Sequence, residues 1–216
     1  LDRLPPKRAA TRRNASDLIK HGLVRPDGRA AIEKVAAQFS VTITPSVLDT
    51  IANADPDGGV ARQYVPSAAE LTVTEDERAD PIGDAQHSPV KGIIHRYPDR
   101  ALLNVLSNCA VYCRFCFRRE TIGQSLKALN QDELEGAIAY IRENSAIWEV
   151  ILSGGDPLML PAKQLSSIAG QIAAIEHVGI LRVHTRVPMA APERITDELI
   201  TALQVKAPTW VAVHVN

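Results

Sequence analysis

Three cysteines, Cys109, Cys113 and Cys116, fall within eight consecutive positions of a 216-residue chain that contains no others. An odd number of thiols spaced this tightly cannot build a disulfide framework, so one explanation must serve all three. Their neighbours Arg114, Phe115 and Arg118 are charged or aromatic, unlike the surroundings of cysteines buried as small hydrophobes. A cubane iron-sulfur cluster suits the spacing, because its iron corners lie close enough together for one compact loop to reach. Three thiolates leave one iron of a four-iron cluster without a protein ligand, open to a substrate or cofactor. Zinc is the main alternative, with His95, the nearest upstream histidine, as fourth ligand. A redox-sensing thiol pair and plain buried cysteines are the remaining readings. Tyr112 and Phe115 would shelter a cluster or simply pack, and neither is assigned a catalytic role.

These residues need a frame to hold them. Ala101 to Leu106, Trp148 to Leu152, Ile180 to Thr185 and Trp210 to Val215 are short apolar runs of buried-strand type. Helical patterns separate them. Asn130 caps the first with Glu133 three residues on, Pro161 takes the first position of the second, and Thr196 precedes the third. Alternation of this kind predicts an α/β fold with a right-handed parallel sheet, either doubly wound or part of a barrel. Functional groups gather at the carboxyl ends of strands in both. The cysteines follow the first of these strands, and Ser153-Gly154-Gly155-Asp156-Pro157 follows the second.

Residues 1–88 read as a helical and irregular extension with a linker, and residues 89–216 as the α/β unit. Gly28 to Phe39 has helical spacing, Thr44 and Pro45 open a second helix, and Asn53 to Gly59 ends it in turn chemistry. Glu75 to Asp84 is acidic and suits an exposed linker, while Lys7, Arg8, Arg12 and Arg13 read as a solvated tail. A hydrophobic content of 45% supports a real core, and a net charge of -1 offers no electrostatic case for nucleic acid or an acidic membrane. No run approaches a membrane span and no signal pattern opens the chain, so a cytoplasmic protein is expected.

The CxxxCxxC spacing after the first strand, with SGGDP after the next, resembles the radical S-adenosylmethionine superfamily. That resemblance implies a [4Fe-4S] cluster on Cys109, Cys113 and Cys116, with S-adenosylmethionine chelating the fourth iron. One-electron reduction then yields a 5′-deoxyadenosyl radical. It also implies that Gly154, Gly155 and Asp156 lie near the methionine moiety, the glycines allowing close backbone approach to the ligand.

His95 to Arg100 (HRYPDR), the loop CAVYCRFCFRR, SGGDPL and His184 to Pro188 (HTRVP) together resemble lysine 2,3-aminomutases. The expected fold becomes a partial (βα) barrel of the radical SAM type, reaching about four strands, behind the helical extension. The implied reaction moves the amino group of L-lysine from C2 to C3 with pyridoxal phosphate as second cofactor and a flavodoxin or ferredoxin as reductant. A related branch makes β-lysine for elongation factor P, and a structural zinc module is the reading from another class. Arg96, Tyr97 and Arg100 then resemble residues around the pyridoxal phosphate, and Arg118 resembles the partner of the lysine carboxylate. Arg186 and His214 end strands on the same face and are expected to line the cofactor pocket. The family's pyridoxal lysine and the carboxylates for the substrate ε-amino group match nothing here, and Lys163 and Lys206 read as solvated. The 216 residues are therefore expected to outline the cluster site without completing the reaction, to leave an apolar sheet edge open, and to belong to a homo-oligomer.

Overall fold

The computed structural model describes residues 11, 14–55, 58–123 and 128–215. Lys7, Arg8, Arg12 and Arg13 lie outside them, as does part of the Asn53 to Gly59 turn. One sheet of five strands organises the rest: β1 (Ile93–Tyr97), β2 (Arg100–Leu106), β3 (Glu149–Gly154), β4 (Ile180–Thr185) and β5 (Thr209–Val213), side by side in that order. β1 is antiparallel to β2, and every other pair is parallel.

The strand order decides between the two architectures. A doubly wound sheet reverses direction at a switch point, whereas here each parallel strand adds beyond its predecessor, as in the wall of a barrel. The wall is an arc that does not close, and Trp210, Val211 and Val213 of β5 are exposed. β1 is an addition to the sequence expectation. Its second half, His95-Arg96-Tyr97, breaks the apolar pattern by which buried strands are recognised, and only its pairing with β2 reveals it.

Between the strands run α5 (Gln131–Glu143), α6 (Ala162–Ala173) and α8 (Asp197–Ala202), with a short α7 (Val187–Ala190) after β4. Asn130 and Glu133 form the expected capping box at 2.9 Å in each direction, which sets Leu134, Ile138 and Ile141 toward the sheet. Pro161 stands at the cap of α6, one residue before the first helical position. The helices cover one sheet face, burying Leu103, Val105, Leu152, Leu181 and Val183. Burial of each such side chain contributes roughly 2 kcal/mol as an upper figure. The opposite face is more polar. Register places Arg100 beside Glu149, Asn104 beside Ser153, and Ile151 beside Arg182 along it.

The extension comprises α1 (Ala15–Lys20), α2 (Arg29–Gln38), α3 (Pro45–Ala52) and α4 (Gly59–Arg62). Thr44 caps α3 and Pro45 opens it, as its sequence predicts. Ile32, Ile43, Val47 and Ile51 join the same apolar core as the sheet. The linker is exposed through most of its acidic run but not at its end: the Asp84 side chain is only 17% exposed and is ion-paired to arginines of the α/β unit.

Candidate active site

The cysteine loop leaves β2 at Leu106 and is gripped from outside by the extension. Tyr112 donates its amide to Thr42 O at 3.0 Å, and Arg114 donates its amide to Gln63 O at 2.7 Å. The Arg114 side chain, 6% exposed, donates Nε to Glu70 Oε1 at 3.0 Å and Nη1 to Ser40 O at 2.7 Å. Arg119 lies over the Phe39 ring, 3.7 Å from its centroid. None of these partners is near the cysteines in sequence.

The glycine turn holds the loop from the other side. Gly155 donates its amide to Leu106 O at 2.6 Å and Asp156 to Asn108 O at 2.8 Å. Gly154 has φ +108°, and a Cβ there would stand 2.5 Å from Leu106 O; one on Gly155 would stand 2.2 Å from Asn108 O. The missing side chains thus let the glycine turn press against the root of the cysteine loop. This loop-against-loop contact is a demand for glycine in addition to the expected close approach to a ligand.

Asp156 is a knot between three strand ends. The residue is 3% exposed, and its carboxylate accepts Thr185 Oγ1 at 2.7 and 2.9 Å, Arg186 N at 2.7 Å, Val187 N at 3.2 Å and Leu158 N at 3.1 Å. Burial pushes its pKa up, and hydrogen bonds from the Arg186 backbone and the Thr185 hydroxyl act the other way. With both oxygens engaged by the protein, Asp156 acts on the site by holding Arg186 in place.

A cavity of about 250 Å³ lies between these loops, walled by Cys109, Cys113 and Cys116 together with Gly154, Gly155, Asp156, Arg118, Arg186 and His214. Burial raises the Cys109 thiol well above its ordinary value and lifts Cys113 to about 11, with Arg186 opposing both shifts. Arg186 donates Nη1 to Tyr64 OH at 3.2 Å and crosses the Phe115 ring. His214 faces His184 with ring centroids 6.1 Å apart; burial, then His214 and Arg182, depress the pKa of His184.

Nine of the expected site residues therefore share one cavity wall. Arg96, Tyr97 and Arg100 do not: they occupy the β1–β2 hairpin, at the amino end of the parallel strands. Arg96 donates to Ile82 O and lies 3.5 Å from Asp84. Arg100 pairs with Asp99 at 2.6 Å and Glu149 at 3.5 Å, while Tyr97 is 59% exposed. Glu149 is buried and also pairs with Arg182 at 2.6 Å. His95 bonds Tyr140 of α5 at 2.8 Å, a partner on the helix-bearing side of the sheet, which removes it as a fourth ligand for the cysteines. Among the described residues, no three His, Cys, Asp or Glu side chains converge on a single-ion site. Ligands spread around a multi-iron cluster need no such convergence.

Comparison with known proteins agrees with this geometry. The sequence model of the Radical SAM superfamily matches residues 103–216, from within β2 through the cysteine loop and glycine turn. The chain belongs to the radical SAM superfamily. It is 40% identical over 191 residues to an L-lysine 2,3-aminomutase of Methanococcus maripaludis, covering 87% of this chain and 44% of that protein. An L-lysine 2,3-aminomutase of Clostridium subterminale is 36% identical over 200 residues, 93% of this chain and 48% of its own. A glutamate 2,3-aminomutase of Clostridioides difficile is 37% identical over 185 residues, 86% and 44% of the respective chains. The chain spans about half the length of the curated relatives it matches.

Membership of the radical SAM superfamily implies a [4Fe-4S] cluster and S-adenosylmethionine. The residues fit that pair: three thiols on one loop share a cavity with the glycine turn and with cationic Arg118 and Arg186. Thiols with raised pKa values are protonated before iron arrives, so cluster assembly must release their protons.

Sequence reasoning missed Glu70, Arg114, Thr185, His184 and Arg182. Arg114 stood inside the motif and was passed over because its partner lies 44 positions away. Thr185 and His184 stand inside the HTRVP stretch at the end of β4, where only Arg186 was given a role.

Proposed function

We propose that the chain carries the radical-generating part of an amino acid 2,3-aminomutase whose substrate is L-lysine and whose product is β-lysine. The observation that carries this reading is the shared cavity wall of the three thiols, the glycine turn and Arg118, in a chain that resembles lysine aminomutases over most of its length. When bound, the reduced cluster with S-adenosylmethionine supplies a hydrogen-abstracting radical, and pyridoxal phosphate supplies a ring that stabilises the unpaired electron during amino migration.

Cys109, Cys113 and Cys116 hold the cluster at the carboxyl end of the sheet. Gly154 and Gly155 keep the two loops close enough to seat the methionine end of the cofactor, and Asp156 fixes the backbone of Arg186 beside it. Arg118 takes the substrate α-carboxylate. Arg96 and Arg100, with Tyr97, receive the pyridoxal phosphate group, since guanidinium forks suit a phosphate dianion. That last assignment rests on the resemblance of the HRYPDR stretch, and register adds only that Arg100 lies on the helix-free face with Glu149 and Arg182. The Arg100–Asp99 pair is partly exposed, and an exposed pair of this kind costs little to rearrange. Arg186 and His214 flank the cofactors from the ends of β4 and β5. A flavodoxin or ferredoxin is the reductant, and the complete enzyme works as a cytoplasmic homo-oligomer.

A second substrate is favoured by one specific finding, the similarity to a glutamate 2,3-aminomutase. An α-carboxylate is common to lysine and glutamate, so Arg118 serves either. The test is anaerobic incubation of the complete protein with both cofactors, dithionite and each amino acid, followed by chiral chromatography. β-Lysine is expected, its handedness separating the free-standing mutase from the elongation factor P branch. β-Glutamate alone would reassign the substrate, and no β-amino acid from either would overturn the proposal.

A further inference from the structure

We propose that Asp84 is a positioning residue that aims Arg118 at the substrate carboxylate and ties it to Arg96. The inference rests on the reading of Arg118 as the carboxylate receptor and extends it. Asp84 Oδ2 accepts Arg118 Nε at 2.8 Å, and Oδ1 lies 3.5 Å from Arg96 Nη2, so one carboxylate bridges the cysteine loop and strand β1. The Asp84–Arg118 arm is largely withdrawn from solvent, with side-chain exposures of 17% and 15%, while Arg96 is 32% exposed.

A guanidinium offers two edges for bidentate contact, one through Nε and one through its two terminal nitrogens. Asp84 holds Arg118 on the Nε side, while Arg118 forms part of the cavity wall beside the thiols. Fixing the first edge leaves the terminal edge to receive a carboxylate, with the rotamer entropy of a long side chain already lost before substrate arrives. Asp84 is itself anchored. Asp80 accepts the amides of Asp84 and Ala85 at 2.8 Å each, Ser88 Oγ donates to Asp84 O at 2.9 Å, and Gly83 turns the chain at φ +69°. Arg96 also donates to Ile82 O in the same turn, so its place relative to Arg118 is set by one short segment. The acidic linker thus ends in a fixed carboxylate between two arginines read as receptors for anionic groups.

The test compares the complete, cluster-loaded enzyme with Asp84→Asn, Asp84→Glu, Arg118→Ala and the Asp84→Asn/Arg118→Ala double variant. Asp84→Asn should raise KM for L-lysine about tenfold and change kcat by less than about threefold, the size of coupling typical of residues in one ion-pair network. Asp84→Glu should recover most of the loss. In the Arg118→Ala background, Asp84→Asn should add nothing. 1,5-Diaminopentane, which lacks the carboxylate, should inhibit wild type and Asp84→Asn equally. If Arg118→Ala leaves KM unchanged, the carboxylate-receptor reading itself falls. If Arg118→Ala raises KM while Asp84→Asn is neutral, tightens binding or adds its own full effect in the double variant, only the positioning role falls. Loss of cluster iron in Asp84→Asn would also overturn it, by making Asp84 a support of the loop.

Discussion

The two flanks of the cysteine loop use their arginines differently. On the outer flank Arg114 is 6% exposed and spends its donors on Glu70 and Ser40 O, pinning the loop to the extension. On the inner flank Arg118 is held through Nε by Asp84 and borders the cavity with the three thiols. The two stand four positions apart within the motif. One builds the loop and the other faces what the loop is for. A motif residue's role is thus read from how many of its donors the protein itself consumes.

If the flanks are separable in this way, they should fail differently. The largest effect is expected on the inner flank: Cys113→Ala should abolish cluster binding, measured as iron and sulfide, while the metal-free protein keeps its melting temperature within about 2 °C. A collapsed fold in that variant would break the division, because the thiols would then be holding the loop. Glu70→Ala should do the reverse, costing about 3 kcal/mol in urea unfolding by leaving the Arg114 charge buried without its partner. A loss under about 0.5 kcal/mol would make the pair an ordinary surface one. Gly155→Ala sits where the flanks meet: a Cβ 2.2 Å from Asn108 O must push the loops apart, for about 2 kcal/mol and reduced cluster retention.

The smallest effect concerns protons. His184 has its pKa depressed by burial and by His214, so its NMR titration midpoint should fall below the ordinary 6.5. A depressed folded value means the unfolded chain takes the proton first. Stability contributed by neutral His184 is therefore complete above about pH 6.5 and declines as pH falls through the folded value. His184→Gln should flatten that acid-side slope, and an unchanged slope would remove His184 from the cavity's electrostatics.

Much of the barrel wall was legible because its signals are local. The apolar runs of β2 to β5, the Asn130–Glu133 capping box and the Thr196 cap each lie within a few residues of what they specify. β1 escaped because half of it is polar and only pairing with β2 makes it a strand. In the site, cysteines and glycines announced themselves by type and spacing, yet the loop contact that also requires glycine was hidden, since no sequence window shows that Asn108 O occupies the space beside Gly155. The supports were illegible for the same cause. Glu70 meets Arg114, Asp84 meets Arg118, and Asp156 meets Thr185 only after the chain has folded across 44, 34 and 29 positions.

The most direct measurement is the metal content and spectrum of the protein after anaerobic reconstitution. About four irons and four sulfides per chain are expected, with charge-transfer absorbance bleached by dithionite and an electron paramagnetic resonance signal that changes when S-adenosylmethionine is added. Stoichiometric zinc without sulfide, in protein whose three cysteines are all required to bind it, would contradict the cluster and everything built on it.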